Sequence, residues 1–237
     1  MYVDAFFDRQ RDRIHIVERV NGQREYKEFP AKYIFYYDDP KGKFKSIFGN
    51  SVSRIQCRSG KDFKREKALH FGTKTYESDI NPVFRCLEEN YLGKDAPKLQ
   101  VAFFDIEVDF DKDRGFSTPE DPFTPVTAIT VYLQWLDKLV TLATPPKGMP
   151  KAEVDKLAEK FDDTFFFDKE TELLKTFLDL IDDADILSGW NSEGYDIPYM
   201  VNRIKSVLSK DDTRRFCLFG QFPKQRTFER FGKENIT

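Results

Sequence analysis

The sequence predicts an α/β (α+β) protein in which a mixed sheet with flanking helices follows a mostly β N-terminal domain. Strand-like runs fill most of the first hundred residues and are separated by proline, glycine and asparagine. The remainder alternates strand-like runs with segments in which apolar residues recur at helical spacing. The polar stretch "GKDAPK" separates the two regions. We therefore predict domains at 1–97 and 98–237.

The elements of the first domain follow from turn residues and periodicity. "RIHIVERVNGQREYKEF" contains two strand-like runs around Asn21-Gly22 and predicts a hairpin. "KYIFYYDD" and "FKSIFGNSVSRIQC" predict further strands. "NPVFRCLEENYL" predicts a short helix, because Val83, Leu87 and Tyr91 recur at four-residue spacing behind a proline.

The second domain opens with a strand over Leu99–Val108, inside "KLQVAFFDIEVDF", and "TAITVYLQWLDKLVTLAT" predicts two more strands. "KAEVDKLAEKF" predicts a helix, and a second helix starts with Asp168 as its N-cap. "ADILSGWN" predicts a short strand, with Trp190 in the core, and "DIPYMVNRIKSVL" predicts a third helix. The predicted buried side of the second helix consists of Leu173, Leu174, Phe177, Leu178 and Ile181.

Two carboxylates, Asp105 and Glu107, occur in the first strand of the second domain. Side chains two positions apart on a strand lie on the same face. Apolar residues from Val101 to Phe104 point to both faces and indicate an interior strand, although a solvent-facing edge is the alternative. Two like charges beside each other on an interior strand are unfavourable unless a cation lies between them. The pair therefore indicates a metal site.

Asp196, at the start of the third helix, offers a third carboxylate that would face Asp105 and Glu107 from a neighbouring element. The alternative is that Asp196 is the N-cap of this helix, which is a common role for aspartate. The two histidines, His15 and His70, belong to no metal-spaced group, and this disfavours nucleophile–histidine catalysis. A site made only of carboxylates suits Mg²⁺ or Mn²⁺.

Composition and charge exclude several classes of protein. No apolar run approaches the roughly 20 residues of a membrane span, and the start "MYVDAFFDRQ" lacks the pattern of a secretory signal. Three cysteines, odd in number and far apart, argue against a disulfide framework and for a reducing compartment, so we expect a cytoplasmic location. The net charge is −3, but basic residues cluster at 41–67 and 201–237, either as solvated surface or as contacts for a phosphate backbone.

Two motifs resemble those of a known family. "FDIEV" and "GWNSEGYDIPYMVNRI" are similar to the first and second exonuclease motifs of family B DNA polymerases, and most similar to those of the replicative polymerases of T-even-like bacteriophages. "YESDINPVFRCLEENYL" also resembles the segment that precedes the first motif. The resemblance implies a ribonuclease-H-like 3′→5′ proofreading exonuclease domain behind a β-rich N-terminal domain.

The resemblance also implies roles for individual residues. Asp105, Glu107 and Asp196 would be the catalytic residues and would hold two divalent metal ions, Mg²⁺ or Mn²⁺. Asp105 would bridge both ions, Glu107 would bind the ion that activates water, and Asp196 would hold the second ion. Asn191 and Tyr195 would line the channel for the 3′-terminal nucleotides. Two cations can stabilise both the attacking and the leaving oxygen of a displacement at phosphorus, and this chemistry needs no histidine.

The chain departs from the family pattern after Asp196, where the Tyr-x3-Asp of the third exonuclease motif has no counterpart. It therefore resembles the front of a DNA-directed DNA polymerase with an exonuclease domain truncated at its C-terminus, and we expect the isolated chain to be weakly active or inactive. The implied partners are the 3′ end of single-stranded DNA, primer–template DNA, the remainder of the polymerase in cis or in trans, and a sliding clamp, with no membrane. A phage-encoded protein would act in the cytoplasm of the bacterial host.

Two other classes of function remain as alternatives. The first is a stand-alone nuclease of the same ribonuclease-H-like fold. The second is a non-catalytic module that binds single-stranded nucleic acid through the basic C-terminal stretch and the aromatic-rich front. Such a module would bind single strands in a salt-sensitive way, and its binding would be indifferent to Mn²⁺ and to loss of Asp105.

Overall fold

The computed structural model describes residues 1–224, 227–230 and 233–236. Contacts within the chain divide it into two compact units, Met1–Lys98 and Leu99–Thr237. None of the helices in the described ranges combines the length and the apolar composition that crossing a membrane requires.

The first unit is built mainly from two antiparallel sheets. Its strands are β1 (Tyr2–Asp8), β2 (Arg13–Val20), β3 (Gln23–Pro30), β4 (Tyr33–Asp38), β5 (Phe44–Lys45), β6 (Ser51–Cys57) and β7 (Thr75–Tyr76). Its helices are α1 (Gly60–Leu69) and α2 (Pro82–Tyr91). One sheet has the order β1-β2-β3 and the other the order β5-β6-β4-β7. The mostly β character predicted for this region is confirmed.

Local signals explain most of the first unit. Strands β2 and β3 pair from Arg13 opposite Pro30 to Val20 opposite Gln23. Asn21 and Gly22 both have positive φ, 51° and 81°, as a two-residue hairpin turn requires. The predicted hairpin is therefore confirmed, and so is the predicted helix, which is α2.

Helix α1 was absent from the sequence prediction because none of its residues is buried and it has no apolar stripe to detect. It is stabilised at its start, where the Ser59 side chain accepts the N–H of Asp62 at 3.1 Å. The pattern of serine followed three residues later by an acid is a helix-start signal that could have located it.

The second unit contains a mixed sheet and helices. Its elements are β8 (Val101–Val108), β9 (Val126–Leu133), β10 (Lys138–Ala143), α3 (Lys151–Lys160), β11 (Thr164–Phe166), α4 (Glu170–Ile181), β12 (Ile186–Ser188), α5 (Asp196–Val207), a 3₁₀ helix (Asp211–Phe216), β13 (Thr227–Arg230) and β14 (Lys233–Ile236). The sheet order is β11-β10-β9-β8-β12. Strand β8 pairs parallel with β12 and antiparallel with β9. This arrangement confirms the predicted fold class, a mixed α/β sheet with flanking helices.

The core of the second unit lies between the sheet and helices α4 and α5. All members of the predicted buried side of α4 are buried: Leu173, Leu174, Phe177, Leu178 and Ile181. The predicted N-cap is wrong, because α4 begins at Glu170 and Lys169 is the residue in the N-cap position. Asp168 therefore lies one residue too early to cap the first turn.

Strand β8 is interior in the sheet but is not buried on both faces. Ala102, Phe104 and Ile106 are buried, whereas Phe103 is 44% exposed and both acids on its face are exposed. The expectation of an apolar environment on both faces is therefore wrong. The helices cover the face that carries Ala102, Phe104 and Ile106, and the face that carries the carboxylates is open to solvent.

Candidate active site

Helix α5 presents Asp196 to the strand that carries the other two acids. Asp196 is only 5% exposed, and its Oδ1 accepts the backbone N–H of Ile106 at 3.3 Å. Ile106 lies between Asp105 and Glu107 in β8. The N-cap position of α5 is occupied by Tyr195, and Asp196 is the first helical residue. The N-cap interpretation of Asp196 is therefore wrong, since its carboxylate contacts the neighbouring strand.

Burial is the main influence that raises the pKa of Asp196, and the negative charge of Asp105 raises it further. The N–H groups of Asp196 itself and of Ile106 act in the opposite direction by hydrogen bonding to the carboxylate. A buried carboxylate beside a second carboxylate is unfavourable until a cation neutralises it. The donors are hard oxygen atoms, which fit Mg²⁺ or Mn²⁺.

Replacing Asp196 by asparagine should stabilise the metal-free chain, with a gain that depends on pH. Because folding raises the pKa of Asp196, the folded state loses its proton at a higher pH than the unfolded state does, and stability falls as pH rises through that interval. Asp196→Asn removes this loss and keeps an oxygen for the N–H of Ile106. We expect a gain of about 1 kcal/mol, or roughly 2–4 °C in Tm, at neutral pH.

The measurement is a series of thermal melts with EDTA between pH 4 and pH 8. The Tm difference between Asp196→Asn and the wild type should grow with pH and then level off. Asp162→Asn, which removes an exposed carboxylate from the same unit, corrects for the change in net charge. A difference that shrinks as pH rises would contradict the assignment.

Glu107 shares the open face of β8 with Asp105, two positions along the strand. Its backbone carbonyl accepts the hydroxyl of Thr127 at 3.2 Å, which ties the end of β8 to β9. Among the described residues, no group of three or more histidine, cysteine, aspartate and glutamate side chains is gathered closely enough to hold a metal ion. Asp196 lies close enough to Asp105 for the two charges to interact, and both Asp105 and Glu107 are exposed to solvent.

Asn191 and Tyr195 lie in the turn that leads from β12 into α5. Asn191 has a positive φ of 53°, and its carbonyl accepts the N–H groups of Gly194 at 2.9 Å and Tyr195 at 3.1 Å. The Tyr195 ring stacks on Tyr199 with 5.5 Å between ring centroids, and its hydroxyl donates to the carbonyl of Ser117 at 3.3 Å. Burial is the main influence that raises the pKa of Tyr195.

Trp190, in the same turn, is 92% exposed, and the prediction that it belongs to the core is wrong. Strand β12 ends at Ser188, so Trp190 falls outside the alternation that would have directed it inward.

Sequence reasoning missed a group of polar residues on α5, namely Tyr199, Asn202 and Arg203. Each makes hydrogen bonds to the segment between β8 and β9. The signal was present, because Asn202 and Arg203 follow Tyr199 at intervals of three and four residues and therefore share its side of the helix. Gly189 was also missed, and it lies so close to β8 that an added Cβ would be 2.3 Å from the carbonyl oxygen of Phe104.

A mixed α/β unit that combines an acid-bearing strand with an aspartate at the start of the adjoining helix has the features of a nuclease domain. Residues 50–236 match the family described as DNA polymerase family B, exonuclease domain, and the chain belongs to this family. The resemblance seen in the two sequence motifs is thereby confirmed, as is the expectation that the chain belongs to a family of enzymes.

Named polymerases are among the relatives. The chain is 32% identical to a DNA-directed DNA polymerase of Escherichia phage RB69 over 51% of the chain and 15% of that protein. It is 27% identical to a DNA-directed DNA polymerase of Enterobacteria phage T4 over 94% of the chain and 27% of that protein. A DNA polymerase delta catalytic subunit of Plasmodium falciparum is 27% identical over 64% of the chain and 14% of that protein. The matched regions therefore span about a quarter or less of each relative.

Proposed function

We propose that this chain carries a 3′→5′ exonuclease site that removes the 3′-terminal nucleotide of single-stranded DNA, and that it does so as part of a DNA-directed DNA polymerase. The observation that carries the proposal is the contact of the Asp196 carboxylate with the N–H of Ile106, between Asp105 and Glu107. This contact joins the two sequence motifs across 90 positions of the chain.

In the proposed site Asp105, Glu107 and Asp196 hold divalent metal ions. The support is the donor chemistry, since all three side chains offer hard oxygen atoms, together with the burial of Asp196 beside Asp105. Divalent ions bound there would stabilise the attacking and leaving oxygens of an in-line displacement at phosphorus.

We assign a different role to each residue of the proposed site. Asp105 and Glu107, on the open face of β8, remain accessible to a phosphate group arriving from solvent. Asp196 is held by its buried hydrogen bond to the N–H of Ile106 and supplies negative charge close to Asp105. Asn191 and Tyr195 line the path of the terminal nucleotides, and Tyr195 offers an aromatic ring whose hydroxyl is already anchored to Ser117.

The proposed partners are the 3′ end of single-stranded or primer–template DNA and the rest of a polymerase, in cis or in trans. The relatives are named DNA-directed DNA polymerase and DNA polymerase delta catalytic subunit, and these names support the proposal. We also propose a sliding clamp as a partner and the cytoplasm of a bacterial host as the location, because two of the relatives are phage proteins.

Titration calorimetry with Mn²⁺ tests the site. The wild-type chain should bind Mn²⁺, and both Asp105→Asn and Asp196→Asn should weaken binding by about tenfold or more, because each removes a charged oxygen that binds the ion. Asp162→Asn is the matched control and should bind as the wild type does, since Asp162 is exposed and lies outside the site.

Binding that ignores both substitutions would contradict the proposal. In that case, salt-sensitive binding of a labelled single-stranded oligonucleotide, unaffected by Mn²⁺ and by Asp105→Asn, would favour the non-catalytic nucleic-acid-binding module.

A further inference from the structure

The segment 109–125, which joins the acid-bearing strand β8 to β9, is held in place by helix α5; we call it the tethered loop. The described structure gives it no helix or strand of its own, and its regular pairing is limited to the isolated bridge between Asp111 and Gly115. Loops of this length without secondary structure are uncommon in compact domains and are usually either functional or disordered. The side chains that pin the tethered loop belong to α5 and to Tyr195, the residue that precedes this helix.

Tyr199 makes the central contact. Its side chain is fully buried, and its hydroxyl donates to the carbonyl oxygen of Thr124 at 2.7 Å. The same hydroxyl lies 2.8 Å from the Ser117 hydroxyl and 3.1 Å from the Thr124 hydroxyl. Ser117 and Thr124 also bond to each other through their side chains. Two distant points of the tethered loop therefore meet at one tyrosine hydroxyl.

Two further residues of α5 extend the attachment. Asn202 donates to the carbonyl oxygen of Pro119 at 2.8 Å. Arg203 donates to the carbonyl oxygens of Pro122 at 2.9 Å and Phe123 at 3.3 Å. Together with Tyr199, these side chains satisfy backbone acceptors along the second half of the tethered loop.

The attachment forms a second connection between β8 and α5. The first is the direct bond from Ile106 N–H to Asp196 at the start of the helix. The second runs from the end of β8, through the tethered loop, to Tyr199. Tyr199 lies on α5, about one helical turn beyond Asp196, and is part of the buried core. A phenylalanine would fill the same apolar space, so the buried hydroxyl is explained by the loop it holds.

We propose that Tyr199 is a positioning residue for the metal site. Its hydroxyl holds the tethered loop to α5, and this fixes the start of the helix so that the Asp196 carboxylate stays beside Asp105. The inference rests on the proposed function, since it concerns the same carboxylates. The Tyr199 hydroxyl bonds to Ser117 and Thr124 and not to Asp105, Glu107 or Asp196, so it would act on the site through the loop and the helix.

The test combines Mn²⁺ calorimetry with limited proteolysis of Tyr199→Phe and Ser117→Ala. Each variant removes one hydroxyl of the buried group, from opposite sides of the contact. We expect Mn²⁺ affinity to fall about tenfold in Tyr199→Phe, the lower end of the range for residues that orient metal ligands. We also expect faster tryptic cleavage after Lys112 and Arg114, two basic residues of the tethered loop.

Tyr91→Phe is the matched control. It removes a hydroxyl that donates to Glu18 at 2.6 Å in the buried interior of the first unit, so it makes the same chemical change outside the second unit. It should leave both Mn²⁺ affinity and cleavage in the tethered loop unchanged. Urea unfolding followed by fluorescence identifies any variant that has lost its fold. If Tyr199→Phe does not fold, Ser117→Ala tests the same contact.

Each outcome has a definite meaning. Weaker Mn²⁺ binding by a folded Tyr199→Phe or Ser117→Ala supports the positioning role. Faster cleavage with unchanged Mn²⁺ affinity overturns it, because the loop would then be tethered without affecting the site. If the wild type binds no Mn²⁺, or if Asp196→Asn binds as the wild type does, the proposed function fails and the positioning role falls with it.

Discussion

Gly189→Ala should destabilise the second unit by about 3–5 kcal/mol, which places it in the severe tail of single substitutions. The added Cβ would lie 2.3 Å from the carbonyl oxygen of Phe104 and 3.3 Å from the Cβ of Ser192. The atom that it meets on β8 belongs to the backbone, so no rotamer change can relieve the contact. Strands β12 and β8 would have to separate next to Asp105, where Ser188 pairs with Phe103.

Urea unfolding monitored by tryptophan fluorescence would measure this effect. The chain has two tryptophans, Trp135 and Trp190, and both lie in the second unit, where Trp135 packs against the core. The signal therefore reports on the unit that contains Gly189. Gly148→Ala is the control, because Gly148 has a positive φ of 82° and no atom within 4 Å of an added Cβ.

The control should cost about 1 kcal/mol, the cost of placing alanine in left-handed backbone. A Gly189→Ala variant no less stable than the control would show that β12 approaches β8 less closely than the structure indicates. A loss of Mn²⁺ binding that accompanies the destabilisation would show that the close approach also supports the carboxylates.

Local periodicity predicted the elements whose burial is regular. The buried side of α4 was predicted completely because a single apolar stripe, Leu173 to Ile181, faces the sheet. The shared face of Asp105 and Glu107 was likewise available from the two-residue period of a strand. Helix α1 was missed because a helix without buried residues leaves no periodic trace, and only its cap at Ser59 identifies it.

The positions of the side chains at the site could not be predicted from local sequence patterns alone. An aspartate at a helix start is usually an N-cap, so the local pattern left Asp196 open between a cap and a third carboxylate facing β8, and the family resemblance favoured the second. The structure gives the cap position to Tyr195 and turns Asp196 inward to Ile106, a contact between residues 90 positions apart. Trp190 shows the converse error, since its apolar size indicated burial while the end of β12 leaves it in solvent.

The contact between Arg203 and Glu170 was equally invisible in the sequence, and it leads to the second large effect. The guanidinium donates to both oxygens of the carboxylate, at 2.8 Å and 2.7 Å, and each side chain is 14% exposed. The same carboxylate accepts the N–H of Val126 at 2.8 Å. The pair therefore links α5, the start of α4 and the start of β9.

Arg203→Met should cost about 3–5 kcal/mol, because it leaves the largely buried charge of Glu170 without its partner. Arg203→Met combined with Glu170→Gln should be less costly than Arg203→Met alone, since glutamine carries no charge and its oxygen can still accept the N–H of Val126. We therefore expect the double variant to be more stable than Arg203→Met alone.

A double-mutant cycle measures the interaction free energy between Arg203 and Glu170. It needs urea unfolding of the wild type, of Arg203→Met, of Glu170→Gln and of the double variant. Arg203→Lys serves as the matched variant, because it keeps the positive charge while losing the paired geometry of the guanidinium. If the costs of the two single substitutions simply add, the ion pair contributes little. The importance of Arg203 would then lie in its bonds to the carbonyls of Pro122 and Phe123, which the lysine variant could restore only in part.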